Sequence, residues 1–560
     1  MPLTPARNKG DSVLRRAALV SLALTLANVA GAQEMAAPRI ERASIDWARA
    51  AADAAPGGLG ALNAAADRRF AGIARSAVPV LLPVDVGALR KPPDDADNVA
   101  RGGFAATRFF QAGPAGYDAA FSIRTADVPE FSDIDYAKPV YVLLSGFRFI
   151  YSLDGPALPA PAPVKTLEPE FPGARRVWHE FYLRTIFERY GATYVVSIFC
   201  RDVRPSAKIL SCAQAARIAD RFAANLTLAG GAPEADRSPL PPGRERPMPV
   251  SSEFTFYPPG SLIPGTGRTP QLGGRSDRTV YADLRFPLKE APAFANSQSF
   301  NNWGDCDFTG RSPRRVRAKG APYVCNVNGR ALVFDEGAGA NYRYPWRDDF
   351  CEHRRFQVGQ CPGGEGHQGQ DIRPSFCKKI NAGADRCEAY QQAAVAAADG
   401  MILRPHKQEA VLLFVNSPDA HLRLRYMHMS PQRLDAAGML SGRRVERGEV
   451  LASVGNYDEY EHGTTYHLHF DMQVPTSIGY VFVNPYMTLV ASYEHLLGAR
   501  GTELVPEPPA ETTHEMDAHR TQPVPLPPPR VIWRKLEAPR ERPRRAHLRH
   551  VRRHRHLANR

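Results

Sequence analysis

The chain has 560 residues, of which 43% are hydrophobic and 23% are charged. This length and balance predict several soluble domains, and they exclude both a wholly disordered chain and a protein with many membrane spans. Residues 531–560 carry eleven Lys and Arg against two Glu, so this stretch contributes +9 of the net charge of +13. The other 530 residues sum to +4 (13 − 9), and the globular part gives no reason to expect nucleic acid as a partner.

The first 32 residues have the pattern of a secretory signal peptide. Basic residues precede an apolar run over 17–27, and Ala30-Gly31-Ala32 supplies a small-x-small cleavage pattern. The alternative is an uncleaved anchor, but the run is shorter than the roughly 20 residues that a spanning helix needs. We therefore expect cleavage after Ala32 and a protein that is exported, in the periplasm or associated with the cell envelope.

The amino-terminal half predicts a small α+β domain over residues 94–230, preceded by a poorly patterned, Ala-rich segment over 33–93. The predicted elements are strands at 138–147 and 193–200, helical spacing at 177–190 and an amphipathic helix at 213–228. A segment dense in Pro and Gly, residues 231–277, follows this domain. Its composition predicts a linker.

Residues 278–504 predict a second, β-rich domain, because short apolar strands alternate there with turn residues. Residues 505–560 are first rich in Pro and then basic, a composition that cannot bury a core and predicts a disordered tail. The positive charge of this tail is suited to contact with anionic wall polymers or lipid head groups, an attraction that salt weakens.

Eight cysteines in an exported chain predict disulfides, because thiols oxidise outside the cytosol. The sequence leaves their connectivity open. The cysteines fall in neighbouring couples, so the simplest hypothesis joins Cys200 to Cys212, Cys306 to Cys325, Cys351 to Cys361 and Cys377 to Cys387. No Cys-x-x-Cys motif occurs, which argues against a cysteine zinc knuckle.

Two short segments favour a metal site. In the first, His367 and Asp371 stand four apart with glycine between them, so a loop can bring imidazole and carboxylate to one cation, and both groups suit zinc. In the second, strand alternation places His467, His469 and Asp471 on one face, with apolar residues on the other. Each segment has a second interpretation, a chance motif or incidental histidines on a strand.

A third segment, residues 422–429, ends in His428. Alternation places His428 at the end of a row formed by Leu422, Leu424 and Tyr426, which should be buried, whereas His421 has the opposite parity. A lone histidine of this kind is more often structural than catalytic. His428 is a candidate site residue because the other two segments also favour a site.

Taken in order, these motifs resemble the M23 family of zinc metallopeptidases, the lysostaphin and LytM type. His-x-Gly-x-Asp is followed by Tyr-x-His-x-Ser at 426–430 and by His-x-His-Phe at 467–470, and the resemblance covers about residues 341–497. It implies an α+β protein whose β-rich catalytic domain consists of antiparallel sheets around an open groove. Thr464-Thr465-Tyr466 stands where the family commonly has Gly-Pro, and residues 348–390 are longer and richer in cysteine than the motif requires.

The resemblance also implies roles for five residues. One Zn²⁺ per chain would be held by His367, Asp371 and His469, and His428 and His467 would be the catalytic imidazoles. Three protein ligands leave a fourth position for water, which zinc activates for attack on an amide. Disulfides at Cys361 and Cys377 are expected to brace the ligand loop.

The activity implied by the resemblance is that of a zinc-dependent endopeptidase, and the implied substrate is the peptide cross-link between stem peptides of bacterial peptidoglycan. The alternative is a catalytically silent scaffold of the same fold that binds the wall and activates a separate amidase. Such scaffolds usually lack one or more ligands, whereas all five positions are present here.

Overall fold

The computed structural model describes residues 34–54, 57–90, 99–202, 204–233, 248–262, 273–295, 345–352, 354–374 and 388–505, together with short strands between 305 and 331. These residues belong to one compact unit that extends to residue 506. The predicted signal peptide and the predicted tail from residue 506 onward lie outside the described residues. Among the described helices, none combines the length and apolarity that crossing a membrane requires.

The amino-terminal lobe, residues 34–233, is built on a seven-stranded antiparallel sheet with the order β3-β4-β5-β10-β9-β8-β7. Its elements are β1 (Arg39–Arg42), α1 (Trp47–Asp53), α2 (Gly58–Ala66), β2 (Val80–Leu82), α3 (Val86–Leu89), β3 (Ala105–Gly113), β4 (Gly116–Ile123), β5 (Val140–Phe147), β6 (Phe149–Ser152), β7 (Ala162–Pro163), β8 (Arg175–His179), β9 (Tyr182–Arg189), β10 (Ala192–Phe199), α4 (Cys212–Ala223) and β11 (Thr227–Gly230). Helix α4 packs on one face of the sheet, where Phe222 meets Phe121 at 5.5 Å between ring centroids.

The predicted strands at 138–147 and 193–200 are confirmed as β5 and β10. The helix predicted from the spacing at 177–190 is wrong. This segment forms most of β8 and all of β9, and the two strands are joined at Glu180 and Phe181. Both turn residues have positive φ angles, 52° and 61°, as the tight turn of a two-residue hairpin requires. The aromatic and β-branched residues of the segment favour a strand, and pairing with β10 decides between the two periodicities.

The carboxy-terminal lobe, residues 248–505, contains an eight-stranded antiparallel sheet with the order β13-β17-β24-β21-β20-β19-β22, and β25 also pairs with β24. Its elements are β12 (Val250–Phe256), β13 (Ala293–Ala295), β14 (Asp305–Cys306), β15 (Cys325–Val327), β16 (Arg330–Ala331), β17 (Gln370–Pro374), β18 (Ala393–Val395), β19 (Gly400–Leu403), β20 (Val411–Asn416), β21 (His421–Met427), α5 (Pro431–Ala436), β22 (Arg444–Val445), β23 (Val450–Ser453), β24 (Leu468–Thr476), β25 (Gly479–Val483), α6 (Tyr486–Leu497) and β26 (Arg500–Glu503). The fold is therefore α+β and β-rich, as predicted. Strand β12 lies within the predicted linker and pairs with β26.

The predicted disulfides are confirmed at Cys200–Cys212 and Cys351–Cys361. Cys306 and Cys325 are backbone partners in the β14–β15 ladder, and their side chains lie outside the described part of the chain. The predicted bond between residues 377 and 387 also falls outside it.

One face of the eight-stranded sheet forms the core of its lobe. Leu424, Tyr426, Leu468 and Phe470 are fully buried there, together with Tyr486 and Val490 of helix α6. The opposite face carries His469 and Asp471, since these residues alternate with Leu468 and Phe470 along β24.

The amino-terminal lobe packs on the face that carries His469 and Asp471. Phe109, Ala120 and Leu143 of this lobe share a buried cluster with Met401, Leu403 and Phe414, and the rings of Phe109 and Phe414 are 4.6 Å apart. Phe414 pairs with Arg423, which in turn pairs with Gln473 in β24. The two lobes therefore meet on the sheet that supplies His469.

Candidate metal centre

Three side chains of the carboxy-terminal lobe converge on one point. Asp371 lies in β17 directly opposite His469 in β24, and His367 lies in the loop that leads into β17. His367 Nε2 is 3.0 Å from His469 Nδ1 and 3.3 Å from Asp371 Oδ1, and His469 Nδ1 is 3.1 Å from the same oxygen. These are the residues that the sequence motifs predicted as ligands, and all three are buried.

The spacing of these three atoms fits a zinc ion. Zinc bound tetrahedrally at 2.0–2.1 Å sets its ligand atoms about 3.3 Å apart, close to the three separations found here. Asp371 Oδ2 is buried and has no hydrogen-bond partner among the described residues. Two imidazoles and one carboxylate, with a fourth position left over, form a donor set typical of catalytic rather than structural zinc.

Hydrogen bonds fix which nitrogen of each ligand imidazole faces inward. Nδ1 of His367 lies 3.0 Å from the Asp349 carbonyl oxygen, which accepts only, so Nδ1 donates and Nε2 keeps its lone pair. Nε2 of His469 lies 3.2 Å from Asp471 Oδ2 and donates to it, which leaves the Nδ1 lone pair toward the centre. Arg425 Nε also donates to Asp471 Oδ2, at 2.5 Å. Such outer contacts orient metal ligands.

Asp349 forms hydrogen bonds with two of the three candidate ligands, His367 and Asp371. Its carbonyl holds His367, and its Oδ2 accepts a hydrogen bond of 3.0 Å from the Asp371 backbone N–H. Burial, together with the charges of Asp371 and Glu352, raises the pKa of Asp349 well above its usual range. Asp349, Glu352 and His367 also form a second cluster with metal-ligating atoms close together. We assign this cluster a supporting role, because His367 Nδ1 already faces the Asp349 carbonyl.

The protonation states of the first two ligands favour metal binding. Burial lowers the pKa of His367 to about 4, so its imidazole is neutral near pH 7. Burial alone would raise the pKa of Asp371, but attraction to His367 and His467 outweighs it and holds this pKa well below the usual range. Burial opposes the proton on His469, yet hydrogen bonds to Asp371 and Asp471 raise its pKa.

His428 and His467 stand beside the ligand set, with their ring centroids 4.6 Å apart. Each presents Nδ1 to a backbone carbonyl, His428 to Tyr457 at 2.8 Å and His467 to Thr465 at 2.6 Å. Both imidazoles therefore donate from Nδ1, which leaves Nε2 of each ring available for other contacts. His467 Nε2 lies 3.4 Å from Asp371 Oδ1.

His428 does not continue the buried row of β21, as alternation had predicted. The strand ends at Met427, and His428 has a φ angle of 69°, which turns its ring toward His467 and His469. A left-handed backbone at a bulky residue is strained, and such strain is concentrated at functional sites. Burial, then the nearby His467 and His469, lower the pKa of His428 well below its ordinary value, so this imidazole is neutral at pH 7.

Sequence reasoning missed two residues that hold the centre in place. Asp349 belongs to no recognised motif, and its only signal was an Asp-Asp pair inside the segment that resembles the family. Arg425 stands two residues before Met427 on the same face of β21, opposite Asp471. Its position was readable from alternation, but a partner on β24 was not.

Two solved structures match part of the chain. One, a glycyl-glycine endopeptidase LytM from Ruminococcus gnavus, is 21% identical over 24% of this chain and 50% of its own, with a TM-score of 0.18. The other, the antimicrobial peptidase lysostaphin from Staphylococcus simulans, is 20% identical over 23% of this chain and 45% of its own, with a TM-score of 0.16. The chain thus spans half or less of these structures. No family model and no curated protein matches.

Proposed function

We propose that the protein is an exported, zinc-dependent endopeptidase that hydrolyses peptide cross-links of bacterial peptidoglycan. The observation that carries this proposal is the convergence of His367 Nε2, Asp371 Oδ1 and His469 Nδ1 within 3.0–3.3 Å of one another. Two further imidazoles, those of His428 and His467, flank them. The order of the motifs along the chain supports the assignment of the substrate, and the signal-like pattern of the first 32 residues supports export to the compartment where that substrate lies.

The proposed chemistry divides between the metal and the two flanking histidines. Zinc, when bound, would supply the Lewis acid that activates a water molecule and polarises the amide carbonyl. His467 and His428 present Nε2 lone pairs, so one accepts the proton of the attacking water and returns it to the departing amine. Between these two transfers the imidazole that carries the proton stabilises negative charge on the substrate oxygen. Their backbone acceptors, Thr465 and Tyr457, hold both rings in this tautomer.

The complete set of five residues favours an enzyme over a silent scaffold. A scaffold has no need for a left-handed backbone at His428, or for a buried carboxylate oxygen, Asp371 Oδ2, that has no hydrogen-bond partner among the described residues. The stem peptides of peptidoglycan are the proposed partner. Contact between the basic tail and anionic polymers remains a separate proposal, because the tail lies outside the described residues.

The test measures two quantities on the same samples, zinc content and the release of new amino groups from purified peptidoglycan. We expect the wild-type protein to hold one zinc per chain and to cleave. His469→Ala should lose both properties, and His495→Ala, an exposed histidine of helix α6, should lose neither. A wild-type protein that binds no zinc would refute the proposal. One that binds zinc but releases no amino groups would refute the activity and favour the scaffold.

A further inference from the structure

The tip of the β8–β9 hairpin in the amino-terminal lobe contacts two backbone groups of the other lobe. The Glu180 side chain is buried, with the residue 1% exposed, and its carboxylate accepts hydrogen bonds from Gly359 N–H at 3.2 Å and Phe482 N–H at 3.2 Å. Arg184 lies 3.6 Å from this carboxylate and donates to the carbonyl of Tyr480 at 2.5 Å. A buried acid is therefore used to join the lobes at this point.

Gly359 belongs to the cystine loop, residues 351–361, which the Cys351–Cys361 disulfide closes. A Cβ atom on Gly359 would overlap the ring of His179, so a larger residue at this position would require that ring to move. The loop is tied in turn to the first metal ligand. Cys351 N–H donates to the His367 carbonyl at 2.9 Å, and His367 N–H donates to the Glu352 carbonyl at 2.7 Å.

Phe482 is the second residue that connects the Glu180 carboxylate to the metal centre. Its ring packs in a small buried cluster with Phe350, Val358 and the two cysteines of the loop. The Arg425 guanidinium lies 5.3 Å from the Phe482 ring and donates to Asp471, which accepts from His469. Glu180 is therefore connected to His367 through the Gly359 N–H group and to His469 through the Phe482 N–H group.

We propose that Glu180 is a positioning residue of the metal centre and that the amino-terminal lobe is an integral part of the active unit rather than a removable cover. This inference rests on the proposed function. Without the Glu180 carboxylate, two shielded N–H groups lose their acceptor, which is unfavourable unless the cystine loop moves to satisfy them. Movement of the cystine loop would shift His367 away from Asp371 and His469.

The experiment measures the zinc affinity of the full-length protein by competition with a chromogenic chelator, and the absorption spectrum of the cobalt(II)-substituted protein. Glu180→Ala should lower zinc affinity about 10-fold, the lower end of the range for residues that orient ligands. Glu180→Gln keeps one acceptor oxygen and should lose less. Thermal unfolding of each metal-free variant identifies any variant that fails to fold.

Asn416→Ala is the matched control. Asn416 also joins the lobes through two hydrogen bonds, accepting from Ala115 N–H and donating to the Gly116 carbonyl, but it touches neither the cystine loop nor the ligands. We expect a comparable loss of thermal stability, zinc affinity within twofold of wild type and an unchanged cobalt spectrum.

Three results would overturn the inference. Equal losses of zinc affinity in Glu180→Ala and Asn416→Ala would mean that lobe docking stabilises the protein without positioning the ligands. Unchanged affinity in Glu180→Ala with faster peptidoglycan cleavage would identify the lobe as a cover. A wild-type protein without zinc would refute the proposed function as well, whereas the first two results leave it standing.

Discussion

At the scale of single residues, the centre depends on the nitrogen that each imidazole turns inward. His367 uses Nε2 and His469 uses Nδ1, because Asp349 and Asp471 engage the opposite ring nitrogens. The flanking pair, His428 and His467, both offer Nε2. The hydrogen bonds behind the four histidines thus set which ring nitrogen is free, and the proposed function assigns two of these histidines as ligands and two as proton carriers.

This division predicts different phenotypes for a ligand and a proton carrier. His428→Ala should retain stoichiometric zinc, because the ligand triad stays intact, but should lower the rate of cleavage about 100-fold or more. Asp371→Ala should lose zinc and cleavage together. Metal analysis beside a cleavage assay separates the two variants, and a His428→Ala protein without zinc would contradict the assignment.

The outer contact of His469 gives a second prediction. Asp471→Ala removes the acceptor that orients the ring and should lower zinc affinity about 10- to 100-fold. Asp471→Asn keeps an acceptor oxygen and should fall between this variant and wild type. Chelator competition measures the zinc affinity of all three proteins. Equal zinc affinities for Asp471→Ala and wild type would show that Asp471 does not orient His469.

The five residues whose roles the family resemblance implied lie close together in the structure. Alternation along β24 was sufficient to place His469 and Asp471 on one face. It failed at His428, because a single left-handed residue after Met427 reverses the direction of the side chain. Asp349 was missed because its carbonyl and carboxylate act through hydrogen bonds between segments, which no local pattern encodes.

At the scale of elements, the register between β17 and β24 builds the centre. Asp371 pairs directly with His469, so a shift by one residue would move one ligand to the opposite face of the sheet. The register of β21 on β24 places Met427 opposite His469, and His428 follows at the strand end. Motifs that are about a hundred residues apart therefore meet through strand pairing. The sequence pattern predicted β21 and β24, but it predicted a loop where Asp371 lies in β17, and it did not predict the order of the strands in the sheet.

The two described disulfides allow a test of one element. They close loops of similar length, with separations of 10 and 12 residues. Removing either pair should therefore destabilise the protein by a similar amount, about 2–3 kcal/mol. Only Cys351→Ala with Cys361→Ala should also weaken zinc binding, because that loop is bonded to His367.

The control for this loop is Cys200→Ala with Cys212→Ala, whose disulfide lies in the other lobe. Urea unfolding reports the loss of stability, and chelator competition reports zinc affinity. Equal zinc affinity in the two double variants would mean that the cystine loop does not hold the ligand in place.

At the scale of the whole molecule, a buried polar cluster joins the two sheets. Asp118 of β4 accepts hydrogen bonds from Ser145 Oγ at 2.5 Å and Tyr480 Oη at 3.3 Å, and its second oxygen lies 2.8 Å from His421 Nε2. Arg423 donates to Ser145 and lies over the Tyr480 ring at 3.5 Å. Alternation had correctly placed His421 on the face opposite to Leu422, Leu424 and Tyr426, but no local pattern indicated a partner in the other lobe.

This cluster predicts how the stability of the assembled lobes depends on pH. Burial by itself raises the pKa of Asp118, but attraction to His421 and Arg423 and the hydrogen bond from Ser145 outweigh it, so the pKa falls below its ordinary value of 3.8. A carboxyl whose pKa is lower in the folded state contributes stability above its unfolded pKa, and this contribution disappears as the pH falls through the folded pKa. Docking of the lobes should therefore weaken below about pH 4.

The variant that tests this dependence is Asp118→Asn. It should lower the free energy of unfolding by about 3 kcal/mol at pH 7, because His421 and Arg423 lose a buried anion. The difference from wild type should shrink as the pH is lowered from 5 toward 3, since protonation then neutralises the wild-type carboxyl as well. Asp133→Asn, in an exposed pair with Arg217, is the control and should show no measurable difference. Urea unfolding between pH 5 and pH 3 measures this difference in the free energy of unfolding. A difference that stays constant with pH would mean that Asp118 joins the lobes by shape and hydrogen bonding and not by its charge.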